Sequence, residues 1–395
     1  MAELPRNVCG TPVKGENFFG RTKEIDDIWD RLATDHVLLT APRRVGKTSI
    51  MFRLQNTAAS REEWFGAVYY SAEAALDETA FVAGLFAEIA KSPRCGHVAD
   101  ALSRNRRGEL AARVAKLSVA ALSMELRNTT TTWSTLAAEL QDAVYGLPPQ
   151  GRLLVMVDEL PVFLLRLLAL DRSRAEAFLS WFRSFRQGRP ERSNDVRWLL
   201  AGSIGLAPLA SRQRWTKLIN DLHESTIGPL DRANAQGLLD GLATRYRLQL
   251  SPAERDALLE RLGWPIPYFL QLAVDALRKR PPGTERTDRV LATLCGPESQ
   301  IYFAPWWQRL DEELGAVNAS AAAAILTACA IDPDGAAKAS MEGIFVRFWT
   351  DRDRDAQRRA LFERLEHDGY LVFERGRWRF RSPLLREVWL ERTSR

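Results

Sequence analysis

Two short segments of this chain carry residue types suited to binding phosphate groups and a divalent cation. Residues 41–48 read Ala-Pro-Arg-Arg-Val-Gly-Lys-Thr, which is the spacing of a Walker A loop with alanine in place of its first glycine. The pair Asp158 and Glu159 follows the apolar run Leu-Leu-Val-Met-Val. Backbone N–H groups at a helix N-terminus bind phosphate oxygens, and hydroxyl and carboxylate oxygens bind Mg²⁺. Together the segments predict a site for ATP and Mg²⁺.

Each residue type has a chemical role in such a site. Gly46 leaves the backbone free of a Cβ, Lys47 reaches the β- and γ-phosphates, and Thr48 ligates Mg²⁺ through its hydroxyl. Asp158 also holds the metal ion, and Glu159 orients the water molecule that attacks the γ-phosphate. The nucleotide-binding residues predicted in the loop are Pro42, Arg43, Arg44, Val45, Gly46, Lys47, Thr48 and Ser49. Glu159 therefore predicts hydrolysis, and a Mg²⁺-dependent ATPase, rather than nucleotide binding alone.

The elements that must position these residues are strands separated by helices. Short apolar runs at residues 37–40, 153–157 and 196–201 predict buried strands, and residues 67–71 are a weaker fourth candidate. A helical pattern follows Thr48. Alternating strands and helices predict an α/β fold with a parallel sheet, the core of a P-loop NTPase. Helical patterning at about 77–147 predicts an insertion ahead of the strand that ends at Asp158.

The remainder of the chain is almost wholly helical. A capping box at Ser251–Glu254 and a terminating glycine predict a helix over 252–262, and the breaker-rich residues 281–284 predict a linker. Helices at about 319–330, 339–348 and 353–368, followed by strands at 370–374 and 377–381, predict a winged helix. The predicted domains are a P-loop core over 1–205, a helical lid over 206–283 and a winged-helix domain over 284–395.

Composition narrows the class of protein without deciding its partners. The 395 residues include 46% hydrophobic and 27% charged residues, with a net charge of +5, which is typical of a globular chain and permits nucleic-acid binding without requiring it. The N-terminus lacks the pattern of a signal sequence, and we expect no run of the ~18 apolar residues that a membrane span requires. These features predict a cytoplasmic protein that does not contact membranes.

With these residues placed, the chain resembles the signal-transduction ATPases with numerous domains (STAND) of the AAA+-like superfamily, and in particular the archaeal-type ATPase group. The motifs that carry this resemblance are Phe18-Phe19-Gly20-Arg21 with Glu24, Pro42 to Ser49, Gly202-Ser203, Gly263-Trp264-Pro265 and residues 376–385. The resemblance implies that Phe19, Gly20 and Arg21 lie against the adenine. It further implies that Ser203 senses the γ-phosphate and that Pro265 belongs to a lid over base and ribose.

This resemblance implies a nucleotide-driven switch that acts on a protein partner through the winged helix. An ATPase that binds duplex DNA through that domain stays open, because Arg377, Arg379 and Arg381 fall on one face of the last strand. In the alternative interpretation that face is simply solvated. A scaffold that binds ATP without hydrolysing it is a third candidate. An oligomer also stays open, since Arg212 and Arg214 lie where an arginine finger would be expected, although surface arginines are the favoured interpretation.

Overall fold

The described part of the chain divides into two units that interleave along the sequence. The computed structural model describes residues 4–92, 133–145, 151–188, 196–280, 286–349 and 354–394. One unit, the sheet unit, comprises Thr22–Thr40 and Lys47–Ile227; the other, the helical unit, comprises Met1–Arg21, Ala41–Gly46 and Gly228–Arg395. Most of the predicted insertion and the predicted linker at 281–284 lie outside the described residues. The three predicted domain boundaries stay a prediction.

The sheet unit contains the predicted parallel sheet and the helices that cover it. Its elements are α1 Thr22–Leu32, β1 His36–Thr40, α2 Lys47–Ala58, β2 Trp64–Ser71, α3 Glu78–Lys91, α4 Trp133–Tyr145, β3 Arg152–Asp158, α5 Leu160–Leu170, α6 Arg172–Gln187, β4 Val196–Ala201, α7 Leu206–Gln213 and β5 Leu222–Thr226. The four predicted strands are confirmed as β1 to β4. Helices α3 and α4 confirm the helical pattern at the two ends of the insertion.

The five strands are parallel and lie in the order β2-β3-β4-β1-β5. Strand β3 lies inside the sheet, between β2 and β4, and is buried from Leu153 onward, which explains why its sequence is continuously apolar instead of alternating. Aromatic residues from the covering helices fill the space beside it, and Phe81, Phe163 and Phe178 have ring centroids 4.8–4.9 Å apart. Because neighbouring parallel strands end at the same edge, this order brings the carboxyl ends of β1, β3 and β4 together.

The helical unit contains the remaining elements. These are α8 Arg232–Tyr246, α9 Pro252–Leu262, α10 Pro267–Arg278, α11 Arg286–Cys295, α12 Gln300–Ile331, β6 Ala336–Ala337, α13 Glu342–Phe348, α14 Arg354–His367, β7 Leu371–Glu374, β8 Arg377–Phe380 and α15 Pro383–Thr393. Helix α9 has the predicted bounds and the predicted capping box, in which Ser251 and Glu254 bond each other's backbone N–H groups. Gly263 ends it in the left-handed conformation, with φ 64°.

Helix α12 is longer than the predicted helix at 319–330. It carries Pro305 inside, and its backbone is not helical at Gly315, where φ is 72° and ψ is 158°. The segment Leu314–Ile331 is long and apolar enough to cross a membrane, so the expectation that no run reaches this length was wrong. A core helix meets the same criterion, and Ala322, Ile325 and Leu326 of this segment are fully buried.

The C-terminal part of the helical unit contains the elements from which a winged helix was predicted. The predicted hairpin is confirmed as β7 and β8, which pair antiparallel with Leu371 opposite Phe380. A third, two-residue strand, β6, pairs with β8 and was not predicted, because two residues are too short to give a pattern. Phe380 is buried as predicted, whereas Trp378 is half-buried and stacks on Phe362 with centroids 4.5 Å apart.

Candidate nucleotide-binding site

The loop between β1 and α2 contains the left-handed backbone positions that a phosphate-binding loop requires. Arg44 has φ 63° and Gly46 has φ 108°. A φ of 108° is accessible to glycine and strained for any residue with a Cβ. No atom lies within 4 Å of a Cβ built on Gly46, so the conformation, and not space, requires glycine there. Ala41 is not among the described residues with positive φ, so alanine at this position introduces no such strain.

Helix α2 begins at the predicted lysine and carries the predicted metal-binding hydroxyl. Lys47 is its first residue, and the first N–H groups of a helix have no acceptor within it. The Thr48 hydroxyl donates a hydrogen bond of 2.7 Å to Oδ2 of Asp158. Ser49 is buried on the same turn. Residues 110 positions apart in sequence therefore meet where the two predicted metal ligands are needed.

The carboxylate of Asp158 is buried and hydrogen-bonded through both oxygens. It is 3% exposed, at the end of β3. Oδ1 accepts the backbone N–H of Glu159 at 3.0 Å, and Oδ2 accepts the hydroxyls of Thr48 and Tyr69 at 2.7 and 3.2 Å. Burial raises the pKa of Asp158 above its ordinary value, although the hydrogen bond from Thr48 and the charge of Lys47 oppose this. A bound cation would relieve the cost of keeping this carboxylate charged.

Glu159 is held at the turn between β3 and α5 with its side chain bonded to Ser203. Its backbone has φ 56° and ψ 28°, an uncommon conformation for a residue other than glycine, asparagine or aspartate. The backbone N–H and the hydroxyl of Ser203 both donate to Oε2 of Glu159, each at 2.8 Å. The structure thus brings together Asp158, Glu159 and Ser203, which the sequence predicted separately.

Gly202 explains how Ser203 comes close to the β3–α5 turn. A Cβ on Gly202 would lie 2.5 Å from Cδ of Pro161, which is closer than real Cβ contacts. Only glycine lets the chain after β4 approach the start of α5 this closely.

Tyr69 is a residue of this site that sequence reasoning missed. It lies on β2 and donates its hydroxyl to Asp158. Burial, and then the negative charge of Asp158, raise the pKa of Tyr69, so the phenol stays protonated and acts as a donor. The available signal was a polar aromatic residue near the carboxyl end of a predicted strand, but the order of strands was needed to place β2 beside β3.

The box before α1 packs within the helical unit, where Arg21 bonds the phosphate-binding loop. Arg21 is 2% exposed and donates to the carbonyl oxygens of Val45 at 3.2 Å and Gly228 at 2.9 Å. A Cβ on Gly20 would lie 2.9 Å from the side chain of Asn234 on α8. Phe19 is half-buried and lies against Gly237 of the same helix. The side chain of Arg21 therefore stabilises the phosphate-binding loop through its hydrogen bond to Val45.

The side chains of the loop itself contact other parts of the helical unit. Arg43 donates to the carbonyl oxygen of Pro305 at 3.0 Å. Arg44 donates to the carbonyl oxygen of Gly10 at 2.7 Å, and its guanidinium lies 4.7 Å from the ring centroid of Tyr268. Pro42 approaches the turn after α14, where a Cβ on Gly369 would be 2.9 Å from it. Within 42–44, the side chains therefore contact protein atoms of the helical unit.

Pro265 lies in the connection between α9 and α10. Its carbonyl oxygen accepts the N–H of Leu230 at 3.1 Å, and the neighbouring Trp264 is buried. Gly263 is required twice, because its φ is 64° and a Cβ would lie 2.2 Å from Pro383. These contacts account for the glycine and the proline at the end of a helix that packs on α15. The lid role of Pro265 stays a prediction.

The predicted arginine row, Arg377, Arg379 and Arg381, has carboxylate, backbone carbonyl or aromatic partners. Arg377 pairs with Asp332 at 2.5 Å, and Arg379 pairs with Glu374 at 2.5 Å. The guanidinium of Arg381 lies 5.7 Å from the ring centroid of Trp264. The arginine row is therefore engaged within the helical unit.

Arg212 and Arg214, the predicted surface arginines, are exposed.

Comparisons with known proteins place this geometry in a known fold. The chain matches no family model and none of the curated proteins. It is similar to the Walker-type ATPase PABY2304 of Pyrococcus abyssi, with 16% identity, a TM-score of 0.63, and coverage of 97% of this chain and 99% of that one. The chain has the P-loop ATPase fold. The ORC2 protein of Aeropyrum pernix, in its ADPNP–ADP complexes, is similar over 98% of this chain and 97% of its own, with 14% identity and a TM-score of 0.52.

The P-loop fold implies Mg²⁺, and the residues at the end of β3 fit this ion. Mg²⁺ prefers oxygen ligands and is usually held by one or two protein groups while keeping several waters. Thr48 and Asp158 supply a hydroxyl and a buried carboxylate 2.7 Å apart. The raised pKa of Asp158 identifies a carboxylate that lacks enough compensating positive charge in the protein alone. This donor set suits a hard divalent cation.

Proposed function

We propose that this chain binds ATP with Mg²⁺ and hydrolyses it. The observation that carries this proposal is the hydrogen bond of 2.7 Å between Thr48 and Asp158, with Glu159 on the adjoining turn. It joins the start of the helix after a phosphate-binding loop to a buried carboxylate, as Mg²⁺-dependent phosphoryl transfer requires. The similarity in fold to a Walker-type ATPase supports the same conclusion.

The residues divide the reaction between binding and activation of water. The backbone N–H groups of residues 43–48 and the ammonium of Lys47 hold the phosphates, and Thr48 and Asp158 would hold Mg²⁺. When bound, Mg²⁺ neutralises charge on the β- and γ-phosphate oxygens. Glu159 orients and polarises the attacking water, and Ser203, whose hydroxyl bonds Glu159, is the proposed sensor of the γ-phosphate. Phe19, Gly20, Arg21 and Pro265 are the proposed surroundings of adenine and ribose.

We further propose that nucleotide binding acts on the helical unit as a STAND-like switch. The support lies in the loop side chains, since Arg43 and Arg44 bond the backbone at Pro305 and Gly10. An anion that rearranged the loop would have to move or break these bonds, and its differential affinity for the two arrangements would shift their populations. The output is then a changed contact with a protein partner, through the predicted winged helix, in a cytoplasmic protein.

The alternative is an ATPase that uses the predicted winged helix to bind duplex DNA. The pairing of Arg377 with Asp332 and of Arg379 with Glu374 favours the switch over this alternative. An arginine that already has a carboxylate partner must give it up before binding a phosphate, and the carboxylate left behind repels the duplex. DNA binding would also have to weaken steeply as salt is raised.

ATP turnover by the purified chain tests the proposal. Wild type is compared with Glu159→Gln and Lys47→Ala, and with Lys217→Ala as a matched control at an exposed lysine. We expect both site variants to lose turnover, while Glu159→Gln still binds ATP and the control behaves as wild type. Measurement with and without duplex DNA, at low and high salt, separates the two candidate functions.

Two outcomes would contradict the proposal. If the wild type fails to bind ATP in the presence of Mg²⁺, the site assignment is wrong. If it binds ATP but turns none over, with or without DNA, the chain is a non-hydrolysing scaffold and the assignment of Glu159 is wrong. Stimulation of turnover by duplex DNA that disappears at high salt would favour the DNA-binding alternative.

A further inference from the structure

The strand β2 carries adjacent tyrosines that face opposite sides of the sheet. Side chains alternate along a strand, so Tyr69 and Tyr70 point to different faces. Tyr70 contacts Phe81 and lies against Gly84 on α3, where it fills the core. Tyr69 contacts Phe52 on α2, with ring centroids 4.8 Å apart in an edge-to-face arrangement. Tyr69 is thus fixed against the helix that also carries Thr48.

The hydroxyl of Tyr69 is hydrogen-bonded to the carboxylate of Asp158. It donates to Oδ2 of Asp158 at 3.2 Å. A phenol has one proton, and this bond uses it. Oδ2 is the same oxygen that accepts the Thr48 hydroxyl at 2.7 Å. Two hydroxyl donors, Thr48 on α2 and Tyr69 on β2, therefore determine the orientation of the Asp158 carboxylate.

We propose that Tyr69 is a positioning residue that orients Asp158 for Mg²⁺, an inference that rests on the proposed ATP and Mg²⁺ site. Mg²⁺ demands near-ideal octahedral geometry, so a carboxylate free to rotate binds it less well than one already held in place. Hydrogen-bond partners of metal ligands commonly tune metal affinity by about 10–100-fold. Tyr69 meets that description for Asp158, and Phe52 packs against the phenol itself.

The competing explanation is that Tyr69 only fills space beside α2 and that its hydroxyl finds the nearest acceptor. The two explanations differ in what the hydroxyl does. Packing is kept by phenylalanine, whereas orientation of the carboxylate is lost with the oxygen. Tyr69→Phe therefore separates them, and Tyr70→Phe is a matched control one residue away, on the opposite face of the same strand.

The test measures how Mg²⁺ tightens nucleotide binding, without requiring turnover. A fluorescent ATP analogue is titrated into the full chain at a series of Mg²⁺ concentrations and in EDTA. We expect Tyr69→Phe to raise the Mg²⁺ concentration for half-maximal tightening by about 10-fold, the lower end of that range, because the Thr48 and Glu159 donors to Asp158 remain. Affinity in EDTA should change by less than about 2-fold, since neither Tyr69 nor Asp158 contacts the phosphates directly in the proposed site.

The variants distinguish failure of this inference from failure of the proposed function. Thr48→Ala should shift the Mg²⁺ dependence at least as far as Tyr69→Phe. If wild type and Thr48→Ala behave as expected while Tyr69→Phe matches Tyr70→Phe, the inference is overturned and the ATP site stands. If the wild type binds no nucleotide, or binds it without any effect of Mg²⁺, both fail together. A melting temperature for each variant confirms that it is folded.

Discussion

The bond between Ser203 and Glu159 allows a quantitative prediction about hydrolysis. Ser203→Ala removes one of the two donors to Oε2 of Glu159 and leaves the backbone N–H, also at 2.8 Å, in place. A hydrogen bond to a charged group contributes about 1.5–3 kcal/mol. Both residues are half-buried and one donor remains, so we take the lower end, and about 1.4 kcal/mol corresponds to tenfold in rate. We therefore expect kcat to fall by about 10-fold.

The steady-state assay follows phosphate release at saturating ATP and Mg²⁺. If the serine acts by orienting Glu159, KM should stay within about 2-fold, because the interaction gained lies in the transition state and not in ATP binding. Ser203→Thr keeps a hydroxyl and should restore most of the rate. Ser211→Ala, an exposed serine on α7, is the matched control.

A double-mutant cycle then asks through which group Ser203 acts. In a Glu159→Gln background, measured in single turnovers, Ser203→Ala should have little further effect if it works through Glu159. If the rate reductions caused by the two substitutions instead multiply, and Ser203→Ala also weakens binding of ATP relative to ADP, then Ser203 acts on the γ-phosphate by itself. Unchanged turnover in Ser203→Ala would refute both roles.

Three further predictions concern the loop and the buried carboxylate. Gly46→Ala should destabilise the loop by about 1–3 kcal/mol because its φ of 108° is strained for alanine, and thermal melting should show that ATP no longer raises the melting temperature. Asp158→Asn should raise the melting temperature of the nucleotide-free chain: burial raises the pKa of Asp158, so its ionised form costs stability above the ordinary carboxyl pKa, and asparagine removes that cost. The effect should shrink as the pH is lowered and Asp158 becomes protonated, and no gain at neutral pH would contradict the reasoning. Arg43→Ala should leave Mg²⁺–ATP binding within about 3-fold, since its side chain bonds Pro305. It should abolish the change in hydrogen exchange that ATP causes around residue 305, and a change equal to that of the wild type would remove the support for the switch.

Much of the chemistry was predictable because it depends on residues that are neighbours in sequence. The loop 41–48, the carboxylates after β3 and the capping box before α9 are local patterns, since covalent spacing alone decides which face or end of an element they occupy. Strands β1, β3 and β4 were predictable for the same reason, because a continuous apolar run marks a strand buried on both faces. Helix α12 was not, since it begins at Gln300, well before the predicted alanine-rich helix, and runs through a non-helical position at Gly315.

Other features of the site depend on contacts between distant parts of the chain. Tyr69 reaches Asp158 only because β2 pairs with β3, and Ser203 reaches Glu159 only because Gly202 lets the chain pass Pro161. In the same way, the loop arginines look like phosphate ligands in the sequence, whereas Arg43 bonds a carbonyl 262 residues away.

The sequence by itself determined which residues are able to bind ATP and Mg²⁺ and that a parallel sheet would present them. Only the tertiary structure decided how they are oriented, which residues support them, and that the arginines of β8 have carboxylate partners. The physical reason is that spacing along the chain places a residue on an element. A hydrogen bond or an ion pair depends instead on which elements pack together, and strand order and close backbone approach leave little trace in the local pattern of residues.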